Sequence, residues 1–285
     1  MSYLKLTFLD VQHGSACHIQ MPSSQHILFD LGTGDFDSSQ DGNNHSPIKY
    51  LQATFGVTQA DGVVVTHPHA DHIADIENFH LISPRVFWRP VHITEEAIRG
   101  GNRPGDSAKI DRYLEISKTY TGAVIPTTDP FSASVNGCSE FEIWGVRNCA
   151  QTNLNNQSLA ATLSYAGTKF LLTGDQEKDA WDELFQNTAF VKAIQGTHIL
   201  LASHHGRESG YYEPLFAQIK PCLTIISDGP QGNTCVADKY RTKTGGWDVF
   251  SRKTKAQASR QVLTTRNDGT IQVTCTSGSR HVTIK

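Results

Sequence analysis

The segment Thr66-His67-Pro68-His69-Ala70-Asp71-His72 sets three imidazoles and a carboxylate within six positions. Burying so many polar groups is costly unless each finds a partner, and a cation satisfies several at once. In an extended stretch His67 and His69 point to the same side and can share one ion, while Asp71 and His72, where the chain turns, can reach a second. Asp175 closes the apolar run Leu172-Thr173-Gly174-Asp175, where a carboxylate needs compensation. Between two divalent ions it is compensated twice, so it is the expected bridge, a role that can coexist with capping the helix that follows. Ser203-His204-His205-Gly206 ends another apolar run. Its adjacent imidazoles diverge, so His204 is assigned to the metal and His205 to catalysis or to a metal or substrate contact, although spacing does not distinguish the two. A two-metal site generates hydroxide at neutral pH and stabilises charge on a phosphoryl or carbonyl oxygen. The chemistry implied is hydrolysis, with Asp71, His72 and His205 nearest the reaction.

The elements that must hold these residues are legible in outline. Leu4, Leu6 and Phe8 alternate, and residues 16–21 and 26–30 continue a meander of strands. After a polar stretch from Gly32 to His45, Ser46-Pro47 marks a helix start, with Ile48, Leu51 and Phe55 at helical spacing. Residues 63–65 read as a buried strand that delivers the histidine segment, and 73–79 as a helix leaving it. Further on, 110–117 reads as a helix and 141–146 as a strand, and strands at 159–165 and 169–173 form a hairpin through Ala166-Gly167. Trp181, Leu184 and Phe185 mark a helix, 199–202 a strand, 215–219 a short helix and 223–226 a strand. The tail from 261 to 284 reads as two strands turning at Asn267-Asp268-Gly269. Strands followed by helices, twice over, argue a layered α/β fold with two sheets packed inside helices, read as one domain over 1–285.

Composition sets the bounds. The chain has 285 residues, a net charge of −3 and 38% hydrophobic content, which excludes collagen-like structure and wholesale disorder. No apolar run approaches the roughly 18 residues of a membrane span, and Asp10 interrupts the one apolar stretch near the start, so a cytoplasmic location without membrane contact is expected. Six cysteines without a C-x-x-C pair read as reduced and structural. Neither a serine or cysteine nucleophile elbow nor a glycine-rich phosphate loop stands out. Between Lys239 and Arg266 stand eight lysines and arginines against Asp248 alone. Of these, Lys239, Arg241, Arg252, Lys253 and Lys255 are the candidate nucleic-acid contacts.

The set His67, His69, Asp71 and His72 resembles the H-x-H-x-D-H motif of the metallo-β-lactamase superfamily. Ile27 to Gly32, Leu172 to Asp175 and Ser203 to Gly206 resemble its other motifs in the same order. Phe8 to Val11, Asn156-Gln157-Ser158, Phe170 to Asp175, His204-His205-Gly206 and Asp268-Gly269-Thr270 are similar to the hydrolase domain of ComEC-type DNA-uptake proteins. The resemblance implies an αββα sandwich, two divalent metal ions and Asp30 supporting the histidine loop, with His13 a further supporting candidate. Where many members of the superfamily carry a third histidine on the first metal, this chain has Asn156. An amide oxygen or water in that place makes manganese or magnesium credible beside zinc. The expected function is a metal-dependent nuclease or phosphodiesterase acting on DNA, including an antiphage effector with a separately encoded protein partner. The alternatives are a hydrolase of a lactone, thioester or cyclic nucleotide, and a non-catalytic nucleic-acid-binding subunit.

Overall fold

The computed structural model describes residues 2–34, 46–137, 140–229 and 234–285. Strands β1 (Leu4–Phe8), β2 (Cys17–Gln20) and β3 (His26–Phe29) form the antiparallel meander read from the sequence. Helix α1 (Pro47–Phe55) leads to β4 (Gly62–Val64) and then β5 (Val86–Trp88), both parallel to β3. After α2 (Glu95–Gly100), α3 (Ser107–Thr119) and α4 (Ala133–Asn136) come β6 (Glu140–Trp144), β7 (Ala160–Tyr165) and β8 (Thr168–Leu172). The hairpin of β7 and β8 turns at Ala166 and Gly167, both with positive φ. Helices α5 (Lys178–Gln186) and α6 (Thr188–Ile194), strand β9 (Ile199–Leu201), α7 (Leu215–Gln218) and β10 (Leu223–Ile226) follow. The chain closes with α8 (Ala237–Lys243), β11 (Trp247–Ser251), β12 (Ala256–Arg260), β13 (Val262–Thr264), α9 (Thr265–Asp268), β14 (Ile271–Cys275) and β15 (Arg280–Ile284).

The strands make a nine-stranded sheet, in the order β12-β11-β15-β14-β1-β2-β3-β4-β5, and a six-stranded sheet, β13-β10-β9-β8-β7-β6. Apolar residues of both sheets meet face to face, among them Leu6, Ile19 and Phe29 against Phe170, Leu172 and Ile225. On the outer face of the larger sheet, Ile48, Leu51 and Tyr113 from α1 and α3 cover Leu28 and Val63. On the smaller one, Trp181, Phe190 and Tyr240 cover Leu171, Leu200 and Ile226. The result is the expected α/β two-sheet sandwich. Central strands such as Phe170-Leu171-Leu172 are apolar throughout because both of their faces are buried. Among the described residues no helix is long and apolar enough to cross a membrane. The five described cysteines are free thiols, and Cys138 lies outside the described residues, as does most of the polar stretch read from Gly32 to His45.

Two expectations are corrected. The segment 73–79 is not an α-helix but a turn followed by a 3-10 helix, Ile76–Leu81. Its register is set by Asp75, which accepts from Ser46 Oγ (2.6 Å), the Ile48 amide (2.9 Å) and Asn78 Nδ2 (2.7 Å). The tail is not one hairpin about residues 267–269, because that turn carries the chain from one sheet to the other. β13 pairs with β10, while β14 pairs with β1 and with β15. The period-two pattern reveals strands but not which sheet each one joins.

Register also decides where the site can lie. Phe8 stands opposite Cys17, Cys17 opposite Phe29 and Phe29 opposite Val64, so the ends of β1, β3 and β4 share one end of the larger sheet. The carboxyl ends of β8, β9 and β10 meet them there, since the Leu159 amide donates to the Thr66 carbonyl (2.9 Å) and Ser227 Oγ to the Gly14 carbonyl (2.8 Å). The start of α1 is fixed at this layer too, with Ser46 accepting from the Lys49 amide (3.0 Å) above buried Asp75. Replacing Ser46 with Ala is expected to cost about 1 kcal/mol, and Asp75→Ala about 2–3 kcal/mol because it strands three donors. Urea unfolding measures both, and equal small losses would contradict this account of the helix start.

Candidate metal centre

The site is built from the loops that leave these strand ends. Asp30, at the end of β3, is fully buried with φ 62° and anchors the histidine loop. It accepts from the Thr66 amide (2.7 Å), from Thr66 Oγ1 (3.0 Å) and from His72 Nδ1 (2.8 Å). With the Thr66 hydroxyl proton given to Asp30, its oxygen accepts from His67 Nδ1 (3.2 Å). On the far wall His205 Nδ1 donates to the Ser227 carbonyl (2.9 Å). His67, His72 and His205 are thus anchored through Nδ1, which leaves Nε2 of each as the donor aimed inward.

The inward nitrogens converge on two carboxylates. His72 Nε2 lies 3.3 Å from Asp175 Oδ1 and 3.4 Å from His205 Nε2. His205 Nε2 is 3.4 Å from both Asp71 Oδ2 and Asp175 Oδ2, and His67 Nε2 is 4.0 Å from Asp175 Oδ2. His69 Nδ1 is 2.9 Å from His67 Nε2. Among the described residues two groups have the compactness to hold a cation, His67 with His72 and Asp175, and Asp71 with His72 and His205. Imidazole and carboxylate donors suit zinc or manganese. Buried lone pairs facing one another require positive charge between them, so the donor set fits divalent ions.

Protonation shows the same demand. Burial disfavours the His72 imidazolium, but Asp175, Asp30 and Asp71 outweigh it and raise its pKa well above the ordinary value. The same contest, decided by Asp175 and Asp71, raises His205 to about 10. Burial would raise Asp175, yet His205 and His72 hold it well below the usual carboxylate range. A metal must displace the protons held by His72 and His205, so its affinity rises with pH as they leave.

The local backbone is shaped for this convergence. Gly14, at φ 132°, lies so close to the histidine loop that a Cβ there would sit 2.5 Å from the Asp71 carbonyl oxygen. His204 and His205 both adopt left-handed conformations, φ 48° and 54°, at a cost of about 1–3 kcal/mol each that surrounding contacts must offset. This turn separates the two imidazoles. His205 enters the Asp71 group, whereas His204 stands at the edge, with Nδ1 2.8 Å from Ser209 Oγ and 3.2 Å from Glu177, and Nε2 3.7 Å from Asp175. His13, expected in a supporting place, sits with Nε2 3.3 Å from Asp71 Oδ2.

Asn156 is brought to the site's wall but uses its carbonyl oxygen elsewhere. That oxygen accepts from the Glu177 amide (3.0 Å) and the Ala180 amide (3.3 Å), which caps α5 from outside the helix. Asp175 does not cap α5; its amide is held by Ser158 Oγ (2.9 Å). Sequence reasoning also missed Asn102, which accepts from the Ala70 amide (3.0 Å) and donates to the Pro68 carbonyl (2.9 Å), pinning the histidine loop to α2. Thr66, Ser158, Glu177 and Ser227 were missed for the same reason: each acts by a long-range contact that spacing does not record.

The basic segment forms α8 and the β11–β12 hairpin rather than one patch. Lys239 pairs with Glu208 (2.5 Å), Arg241 with Asp238 and Lys243 with Glu213 (2.5 Å), while Arg252 bonds Gln272 and Thr283. Lys253 and Lys255 stand exposed at the hairpin tip. Register carries that tip to the site's end of the sheet, five strand spacings from β3, or roughly 25 Å.

The chain is 23% identical over 242 residues to ComE operon protein 3 of Bacillus subtilis (strain 168), an alignment covering 79% of this chain and 28% of that protein. The chain is thus a distant homologue spanning less than a third of that relative's length. No family model matches it.

Loading with zinc or manganese should release about one to two protons per chain at pH 7, read by calorimetry in buffers of different ionisation enthalpy, and metal uptake without proton release would contradict the protonated state assigned to His72 and His205. Asn156→Ala should lower stability by about 1–2 kcal/mol while metal content stays unchanged. A drop in bound metal would instead make Asn156 a ligand.

Proposed function

We propose that this chain is a metal-dependent hydrolase of the metallo-β-lactamase type that cleaves phosphodiester bonds, with DNA as its substrate. The observation that carries the reading is the meeting of His67, His72, His205, Asp71 and Asp175 at one end of the two sheets, with each imidazole anchored through Nδ1. In this reading His67, His69 and Asp175 would hold one ion, and Asp71, His72 and His205, with Asp175 near them, would hold another. Such ions would supply hydroxide at neutral pH and neutralise charge on the phosphoryl oxygens. The protein's own part is to fix the donors. Asp30 keeps the proton of His72 on Nδ1, the Ser227 carbonyl does the same for His205, and His13 steadies the Asp71 carboxylate. His204, turned toward Ser209 and Glu177, is then the imidazole left for substrate, which exchanges the parts assigned to the two histidines from sequence.

Phosphodiester chemistry and DNA are supported by the resemblance to ComEC-type hydrolase domains and by the match to ComE operon protein 3. Lys253 and Lys255 support it as well, as sites for backbone phosphates beyond the cleaved bond. The test is incubation of the full chain with labelled single- and double-stranded DNA and RNA in manganese, magnesium or zinc. Cleavage of DNA is expected, and Asp71→Ala should reduce it by several orders of magnitude with the fold intact. Asp175→Ala should in addition lose metal. Neutralising Arg252, Lys253 and Lys255 together should weaken DNA binding and flatten its salt dependence, with hydrolysis of a small chromogenic phosphodiester unchanged. Absence of cleavage with every metal, or full activity of Asp71→Ala, would overturn the reading.

A further inference from the structure

We propose that Arg207 is a phosphate-binding residue at the rim of this site, where its guanidinium takes the non-bridging oxygens of an anionic substrate and selects phosphodiesters over neutral esters. The inference rests on the phosphodiesterase reading and adds the residue that would recognise the charge. Arg207 directly follows the left-handed turn of His204, His205 and Gly206, so its place relative to the donors is set by the same strained backbone. That backbone is pinned on both sides. Its amide donates to the His204 carbonyl (2.9 Å), its carbonyl accepts from the Gly210 and Tyr211 amides (3.1 and 3.2 Å), and the residue bridges to Cys235.

The guanidinium reaches back to the site, with Nη1 3.4 Å from His204 Nε2. The carboxylates that could neutralise it are committed elsewhere. Glu208, its neighbour in sequence, pairs with Lys239 at 2.5 Å, and Glu177 faces His204 Nδ1 at 3.2 Å while accepting from Asn153 at 2.9 Å. Among the described residues no carboxylate lies within ion-pair distance of Arg207. Arg207 is half-buried, and its guanidinium touches an imidazole and, among the described residues, no carboxylate, so it is open to an arriving anion. Its planar fork matches two phosphoryl oxygens, whereas a neutral ester carbonyl offers one oxygen and no charge.

The test uses the metal-loaded full chain and the variants Arg207→Ala, Arg207→Gln and Arg207→Lys. Hydrolysis of bis(p-nitrophenyl) phosphate and of p-nitrophenyl acetate is compared, and binding of inorganic phosphate is followed by calorimetry. Arg207→Ala and Arg207→Gln should lower kcat/KM for the phosphodiester by about 10²-fold and weaken phosphate binding about tenfold or more, with metal content and acetate hydrolysis unchanged. Arg207→Lys should restore charge without the fork and so recover only part of both. Wild-type phosphate affinity in Arg207→Ala and Arg207→Gln would overturn the proposal, as would a parallel loss of acetate hydrolysis and metal, which would make Arg207 merely structural. If the wild type cleaves no phosphodiester, the underlying reading fails, while the phosphate titration still decides for or against Arg207.

Discussion

A carboxylate removed from water must be compensated, and the end of this sandwich collects Asp30, Asp71 and Asp175 around three inward-facing imidazoles. Asp30 is compensated within the protein, by Thr66 and by the proton on His72 Nδ1. Asp175 faces His67, His72, His204 and His205, and Asp71 faces His13 and His205, with the inward ring nitrogens of His72 and His205 3.4 Å apart. Positive charge must lie between them, as protons or as metal ions. Much of the local architecture serves that requirement: the left-handed pair His204 and His205, the glycine at position 14 and the Asn102 staple each bring donors closer than regular structure would.

The constraint also ties the two sheets together. The Leu159 amide and Ser227 hydroxyl cross from the smaller sheet's loops to the larger sheet's, and Ser158 holds the Asp175 amide beside them. Asn156, two residues earlier than Ser158, caps α5 and thereby fixes the loop from Asp175 to Glu177. One short segment therefore sets helix, carboxylate and sheet contact at once. Within it, Ser158 bears on Asp175 directly, through its amide, and Asn156 on the helix start, in contrast to the exposed cations of the β11–β12 hairpin.

Much of this was legible in the sequence, for identifiable reasons. Strands declare themselves by alternation or by unbroken apolar runs, so β1 to β4 and β7 to β10 were read closely, and Ser46-Pro47 marked the start of α1. His67 to His72 announced a site because no packing role explains so many polar groups in one loop. What stayed hidden depends on contacts distant in sequence: the transfer of the chain between sheets after β13, the 3-10 helix imposed by Asp75, the cap supplied by Asn156, and the partition of His204 from His205 by a strained turn. The basic segment shows the same limit. Its composition reveals an excess of cations, but not that Lys239, Arg241 and Lys243 have carboxylate partners in the fold while Arg207, outside the segment, has none within ion-pair distance among the described residues.

The proposed sharing of two cations through Asp175 is open to direct observation. Anomalous diffraction from crystals grown with manganese or zinc tests it most directly. Two anomalous peaks are predicted, one against His67, His69 and Asp175 and the other against Asp71, His72 and His205, with Asn156 still capping α5. No peak in the cluster, or a single peak with Asp71 and His205 left paired to each other, would contradict it.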